Sequence, residues 1–408
     1  MGEVFLLTVD CSPLTIYIYM TNLFFEFLRF SIRQDGKWTR ELSAKEWRAL
    51  LEMAKRQTLV GVMFAGVQKI DEACRPPKDV LLEWFALAGR IKTYNRKLDE
   101  GCSTISEHFE KSGFYTCILK GQGNAQLYLY PDLRMPGDID IWVWPKDEVF
   151  GNSTLSHRRK KTVKFVTSEI GKQPCFYHHI DFPKFDPIEV EVHFTPTWLH
   201  CPSHNRTLQR FIEAEAQHSF GNMKTIGDGV CAVPTWKLNV IFQLIHLQNH
   251  LITEGIGLRQ MMDYYYLLMT TDNEQQTTDN GQGGDVQEMI ERLGLKRFAS
   301  ATMWVLHKVF GLEERYYITG ANQDLGEFLL REIMMSGNFG QYDERINRES
   351  QQKMWYRVGA RFMRSLKFYK ICRSEINWAI PFKIWHYFWR RGIKVYGQQT
   401  TGNGRSDS

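Results

Sequence analysis

The stretch Gly137-Asp138-Ile139-Asp140-Ile141-Trp142-Val143-Trp144 decides how this chain is read. Its two carboxylates alternate with apolar residues at the period of a β-strand, so Asp138 and Asp140 point to one face and Ile139 and Ile141 to the other. Two carboxylates at that spacing repel each other. A divalent cation between them is the usual reason to keep both. Upstream, the apolar run Phe114 to Leu119 ends at Lys120-Gly121-Gln122-Gly123, and residues 122 to 130 have room for one or two helical turns. Downstream, Ile188-Glu189-Val190-Glu191-Val192-His193-Phe194 repeats the alternation and places Glu189, Glu191 and His193 on one face. If this strand lies beside the first, one glutamate completes a three-carboxylate set. Such hard oxygen donors suit Mg2+ or Mn2+ rather than zinc.

Around this strand-rich centre the periodicity is helical. Ser43 with Glu46 has the spacing of a capping box ahead of an amphipathic run from Trp47 to about Gln57. Trp84, Phe85, Leu87, Ile91 and Leu98 recur at helical spacing between Val80 and Glu100. A basic stretch, His157 to Lys164, and a polar cluster, Tyr177-His178-His179, separate the strands. Helical character returns at Trp236. The expected organisation is an N-terminal extension over 1–19, a helical segment over 20–112, a strand-containing core over 113–235 and a helical domain over 236–395. Within that domain 270–285 is read as a polar surface loop, and 396–408 as a disordered tail. Val4 to Tyr19 is apolar-rich, but Asp10 interrupts it and no basic region precedes it, which argues against a signal peptide or membrane span.

Composition narrows the functional classes. With 43% apolar and 24% charged residues the chain can bury a large core. Eight cysteines without a C-x-x-C pair suit reduced thiols in a cytoplasm. From Gln351 onward there are twelve Lys/Arg and two acids, a local +10, which leaves about −5 for the rest of a chain whose net charge is +5. Arg357, Arg361, Arg364, Lys367 and Lys370 recur at helical spacing, with Phe362, Leu366 and Ile371 as an apolar face. The basic segment 353–394 is therefore open to contact with RNA, with an anionic membrane, or with solvent alone. No G-x-x-x-x-G-K-[ST] sequence is present, which disfavours a P-loop enzyme.

Leu119-Lys120-Gly121, then Arg134, then Asp138-Ile139-Asp140, followed by a separate Glu191-Val192-His193 strand, resembles the polymerase-β nucleotidyltransferase superfamily. Within it, the sequence is most similar to a bacterial, uncharacterised nucleotidyltransferase family, and more distantly to abortive-infection toxin nucleotidyltransferases. The superfamily turn usually carries Gly-Gly or Gly-Ser, whereas Gln122 stands second here. The resemblance implies an α+β fold with a small mixed sheet flanked by N-terminal helices and a C-terminal helical domain. It implies two-metal transfer of a nucleoside monophosphate from an NTP, ATP foremost, to a hydroxyl of an unspecified acceptor. Asp138, Asp140 and Glu191 would hold Mg2+ or Mn2+, with Glu191 preferred to Glu189 because it begins Glu-x-His. Lys120, Gly121, Gly123 and Arg134 would contact phosphate. The alternatives are a catalytically silent nucleotide-binding protein and a membrane- or partner-binding protein organised by the basic segment.

Three further patterns stay open. His246 and His250 share a helix face, as a metal pair or as packing against the cleft. Arg259 and Asp263 have the spacing of a helix ion pair, and the family resemblance hints at a role at the cleft. Arg134 has the alternative of ordering its loop by pairing with an acid. His200-Cys201-x-x-His204 fits no zinc spacing and is read as loop.

Overall fold

The protein is described from a computed structural model covering residues 13–270, 282–342 and 363–399. Residues 1–12, most of the loop expected over 270–285, the basic residues 353–361 and the last part of the tail lie outside the described residues. Helices α1 (Pro13–Ile32), α2 (Ala44–Arg56) and α3 (Val60–Lys69) form the first layer. The capping box at Ser43 is present in both directions: Ser43 Oγ accepts from Glu46 N at 3.3 Å, and Glu46 Oε2 accepts from Ser43 N at 2.7 Å. Trp47, Leu50, Leu51 and Ala54 recur at the spacing of one face and are buried. Trp47 meets Phe27 edge-on at 5.3 Å. Helix α3 is apolar on nearly every side, so it lacks the amphipathic period that marks a surface helix. It sits so close to the following layer that a Cβ on Gly61 would lie 2.2 Å from the Leu133 carbonyl oxygen.

Helix α4 (Lys78–Lys111) has 34 residues, about 50 Å at the α-helical rise, and joins two cores. Its first half buries Trp84, Ala88 and Ile91 against the N-terminal helices, and its second half buries Leu98, Cys102, Ile105 and Phe109 beneath a sheet. That sheet has four strands in the order β1 (Phe114–Ile118), β2 (Ile139–Pro145), β4 (Val190–His193), β3 (His179–Asp181). β1 and β2 are antiparallel, β2 and β4 parallel, β4 and β3 antiparallel. The expected α+β architecture with a small mixed sheet is what the chain forms. The parallel step requires a crossover, and the basic stretch expected only as a connection supplies it as helix α6 (Leu155–Ile170). A short turn, α5 (Gln122–Ala125), follows β1.

Strand β2 is buried along its whole length. Ile139, Ile141 and Val143 face the core under α4. Trp142 and Trp144 lie on the Asp140 face but are covered by helix α7 (Pro202–Gly221), with Phe220 at 4.5 Å from Trp142. Asp140 is buried on that face as well, and Asp138, just before the strand, is only half-buried. A hairpin of β5 (Met223–Ile226) and β6 (Gly229–Ala232), not anticipated from sequence, leads into α8 (Trp236–Thr253) and α9 (Leu258–Met269). Helices Gln282–Arg292, Lys296–Phe310, Gln323–Ser336 and Arg373–Gln399 follow; the first begins inside the expected loop and the last runs into the expected tail. No helix among the described residues is long and apolar enough to cross a membrane. The expected apolar face near the C-terminus is not continuous, because Ile371 is buried while Leu366 is exposed.

One buried ion pair ties the segment before β2 to the helical region. Arg134 Nε and Nη2 donate to the two oxygens of Asp263 on α9 at 2.7 and 2.8 Å, and Tyr128 Oη donates to Oδ1 at 2.6 Å. Asn95 Nδ2 on α4 fixes the same segment by donating to the Arg134 carbonyl at 2.8 Å. Burial opposes the Asp263 charge, but the Arg134 guanidinium holds the carboxyl below its ordinary value. Arg259 does not pair along the helix with Asp263 as its spacing suggests; its Nη1 donates to the Met135 carbonyl at 3.2 Å. Asp263→Asn should lower unfolding free energy by roughly 3–5 kcal/mol in a denaturant titration, since Arg134 is left buried and unpaired. A loss below about 1 kcal/mol, an exposed pair's worth, would contradict this placement.

Glu375, near the start of the last helix, is also buried. Burial pushes its carboxyl up to about 7, although His200 N donates to it at 2.8 Å. A folded value above the ordinary 4.5 means that the stability present at low pH is lost as pH rises through about 7. Glu375→Gln should therefore match the parent in thermal unfolding at pH 4 and exceed it above pH 7, by on the order of 3 kcal/mol. Equal stability of the two proteins at pH 8 would count against it.

Candidate active site

The parallel ladder between β2 and β4 sets Asp140 directly beside Glu191 and Trp142 beside His193. Leu119 N donates to the Asp140 carbonyl at 2.9 Å, so β1 delivers Lys120 to the same spot. Lys120 Nζ lies 3.1 Å from Asp140 Oδ2. His193 Nε2 lies 2.9 Å from Asp140 Oδ1 and 3.3 Å from Glu191 Oε2. Ligand-capable atoms of Asp140, Glu191 and His193 fall within 4.8 Å of one another. Asp138, just before β2, lines the same cavity but belongs to none of the close ligand groups found among the described residues. Glu189 is not the partner of Asp140; its carbonyl accepts from Ile139 N at 2.9 Å.

Burial gives these charges their character. Desolvation works against the Lys120 ammonium, yet Asp140, Asp138 and Glu191 outweigh it and raise its pKa above the ordinary value. Burial likewise opposes a charged His193, but the hydrogen bonds to Asp140 and Glu191 push it up to about 9. Glu191 is held down to about 2 against its own burial, first by His193. His179 is lowered to about 4 by burial and then by neighbouring His193. At neutral pH the carboxylates thus face two cations, Lys120 and His193.

The turn after β1 is shaped by close approach. Gly121 has φ +55°, and a Cβ there would stand 3.1 Å from the Asp138 carbonyl oxygen, so glycine is what fits. Gly121 lines the cavity. Gly123 does not: its amide is bonded to the Lys120 carbonyl at 3.1 Å and it packs on Val233 and Ile118. The expected phosphate contact from the Gly123 amide therefore does not match its placement. Gln122 turns inward and donates to Asp99 on α4, which explains a large side chain where related turns carry Gly or Ser. Asn124 Oδ1 accepts from Asn239 and Gln243 on α8, at 3.3 and 3.2 Å, and locks the turn to the helical region. Arg134 also lines the cavity, but its guanidinium is already engaged by Asp263.

Helices α8 and α9 close the cavity, whose volume is about 260 Å³. His246 and His250 face it, their rings 4.3 Å apart, and His246 Nε2 is 3.3 Å from Lys120 Nζ. Arg259 lines it as well. A second hollow of about 410 Å³ adjoins through Asp138 and Glu191 and is lined by Asp181, Asp186 and Glu189. His178 and His179 lie on the cavity wall, and sequence reasoning did not select them. The available signal was the short alternation His179-Ile180-Asp181, too brief to mark a strand by itself.

A family model described as an uncharacterised nucleotidyltransferase matches residues 43–311, from the cap of α2 through helix Lys296–Phe310, and so includes every residue of the cavity wall. No curated protein and no solved structure matches the chain. The order of Lys120-Gly121, Asp138-Ile139-Asp140 and Glu191, their meeting at one sheet face and the extent of that match lead to one conclusion: the chain belongs to the uncharacterised nucleotidyltransferase family.

Proposed function

We propose that the protein transfers a nucleoside monophosphate from an NTP, ATP foremost, to an acceptor hydroxyl, with Asp138, Asp140 and Glu191 holding Mg2+ or Mn2+. The observation that carries this reading is the register pairing of Asp140 with Glu191, with Lys120 at 3.1 Å. The donor set suits a hard divalent ion. Asp140 Oδ2 is buried with the Lys120 ammonium 3.1 Å away as its ionic partner, and a divalent ion would share that oxygen. When bound, such an ion lowers the pKa of an acceptor hydroxyl and neutralises the triphosphate.

The chain's own groups do the rest. Asp140 is fixed by His193 Nε2, 2.9 Å from its Oδ1. Glu191, whose carboxyl is held low by His193 against its own burial, would hold the ion on the nucleophile's side and assist deprotonation of the acceptor hydroxyl. Lys120 supplies a fixed positive charge for phosphate oxygens, and Arg259 adds a second at the cavity wall. The acceptor hydroxyl gives up its proton to solvent as its oxygen bonds to the α-phosphorus, the bond to the bridging oxygen breaks, and pyrophosphate leaves. The two hollows sharing Asp138 and Glu191 offer separate places for nucleotide and acceptor. A setting in the cytoplasm accords with the cysteines, which are free in the described chain and mostly buried.

Pyrophosphate release from each NTP, with Mg2+ and a cell extract as acceptor source, tests the proposal. Asp140→Asn and Glu191→Gln should each cut release by at least about 100-fold while the circular dichroism spectrum is kept, since even a supporting group costs a metal site 10–100-fold. Unchanged release in both variants would overturn it.

A further inference from the structure

We propose that His178, His179 and His193 form a binding site for a transition-metal ion of the Zn2+ or Co2+ class, beside the carboxylates and distinct in its donors from a magnesium site. Strands β3 and β4 pair His179 with His193 across an antiparallel rung, so both imidazoles stand on one sheet face. His178, just before β3, folds onto the same face. Its ring centroid is 4.4 Å from that of His179 and 5.2 Å from that of His193. His178 Nε2 and His179 Nδ1 are 3.0 Å apart, and one ring nitrogen from each of the three residues falls within 4.8 Å of the others. Nitrogens around a tetrahedral ion at about 2.0–2.1 Å are roughly 3.3 Å apart, so small ring rotations complete the geometry.

The second nitrogens support the assignment. His193 turns Nε2 to Asp140 and Glu191, while its Nδ1 is buried with no hydrogen-bond partner among the described residues. His193 is 3% exposed, so that nitrogen is closed off from bulk solvent. A carboxylate bonded to one imidazole nitrogen is the arrangement that orients metal-ligating histidines, and at His193 the bound ion replaces the proton that the charged ring carries on Nδ1 when no ion is bound. His178 Nδ1 is likewise buried without a partner. A polar atom left unsatisfied in a core is costly, and three imidazoles in mutual contact cannot satisfy one another fully. Imidazole nitrogens favour zinc, cobalt or nickel over magnesium, which prefers oxygen and retains its water. Tyr177 lies over this wall, with Phe382 and His386 of the last helix packed on it at 4.9 and 5.3 Å, and shields the site.

The test is a Co2+ titration of the full-length, chelator-stripped protein, followed by visible absorption. One equivalent should bind with d–d bands of a nitrogen-rich site, be displaced by Zn2+, and resist a large excess of Mg2+. His178→Ala and His179→Ala should each weaken Co2+ binding by at least roughly 100-fold, given that a supporting group alone costs 10–100-fold. His178→Gln serves as a second variant should alanine disturb the fold. Asp138→Asn should retain the Co2+ spectrum even where nucleotidyl transfer is lost, which separates this site from the transfer reaction. Absence of Co2+ binding, or bands that survive the His178 and His179 changes, would overturn the assignment.

Discussion

Asp140 and Glu191 are paired across one rung of a parallel ladder, and the side chain of Asp140 is fully buried. Carboxylates taken out of water are costly unless paired, and a pair of them side by side doubles the problem. The fold answers with Lys120 from the end of β1 and His193 two residues beyond Glu191. These two cations offset the charge of the carboxylates, and the surrounding helices, turn and loop are arranged around that cluster.

The rest of the structure keeps this arrangement fixed. Helix α4 supports the sheet from below and reaches back to the N-terminal helices. Gln122 and Asn124 bind the turn after β1 to α4 and α8 in opposite directions. Arg134, clamped by Asp263 and Tyr128, sets the path of the chain into Asp138. It is thus a positioning residue, and under the proposed transfer the charge facing phosphate would come from Lys120 and Arg259. Binding residues that rest on such anchored elements are held with little freedom, as a transfer reaction requires.

Much of this was legible in the chain. The alternation over 138–144 and 188–194 located β2 and β4, and the carboxylate spacing marked the sheet face on which Asp140, Glu191 and His193 meet. Ser43 and Glu46 announced the start of α2. What stayed hidden shares a physical cause. Helix α3 is buried all round and shows no amphipathic period. Strand β3 spans only His179–Asp181, below the length at which alternation is informative. The Arg134–Asp263 pair joins residues distant in sequence, whereas spacing favoured Arg259 as the partner of Asp263. Similarly, Gly123 read as a phosphate-binding glycine, but its packing on Val233 depends on a hairpin that local sequence does not specify.

The most direct measurement is a crystal structure with Mn2+ and a non-hydrolysable NTP analogue, using anomalous scattering to find the metal. A manganese peak bonded to oxygens of Asp140 and Glu191, with the triphosphate near Lys120, is the expected result. Density for the nucleotide elsewhere, or manganese bound away from Asp138, Asp140 and Glu191, would contradict it.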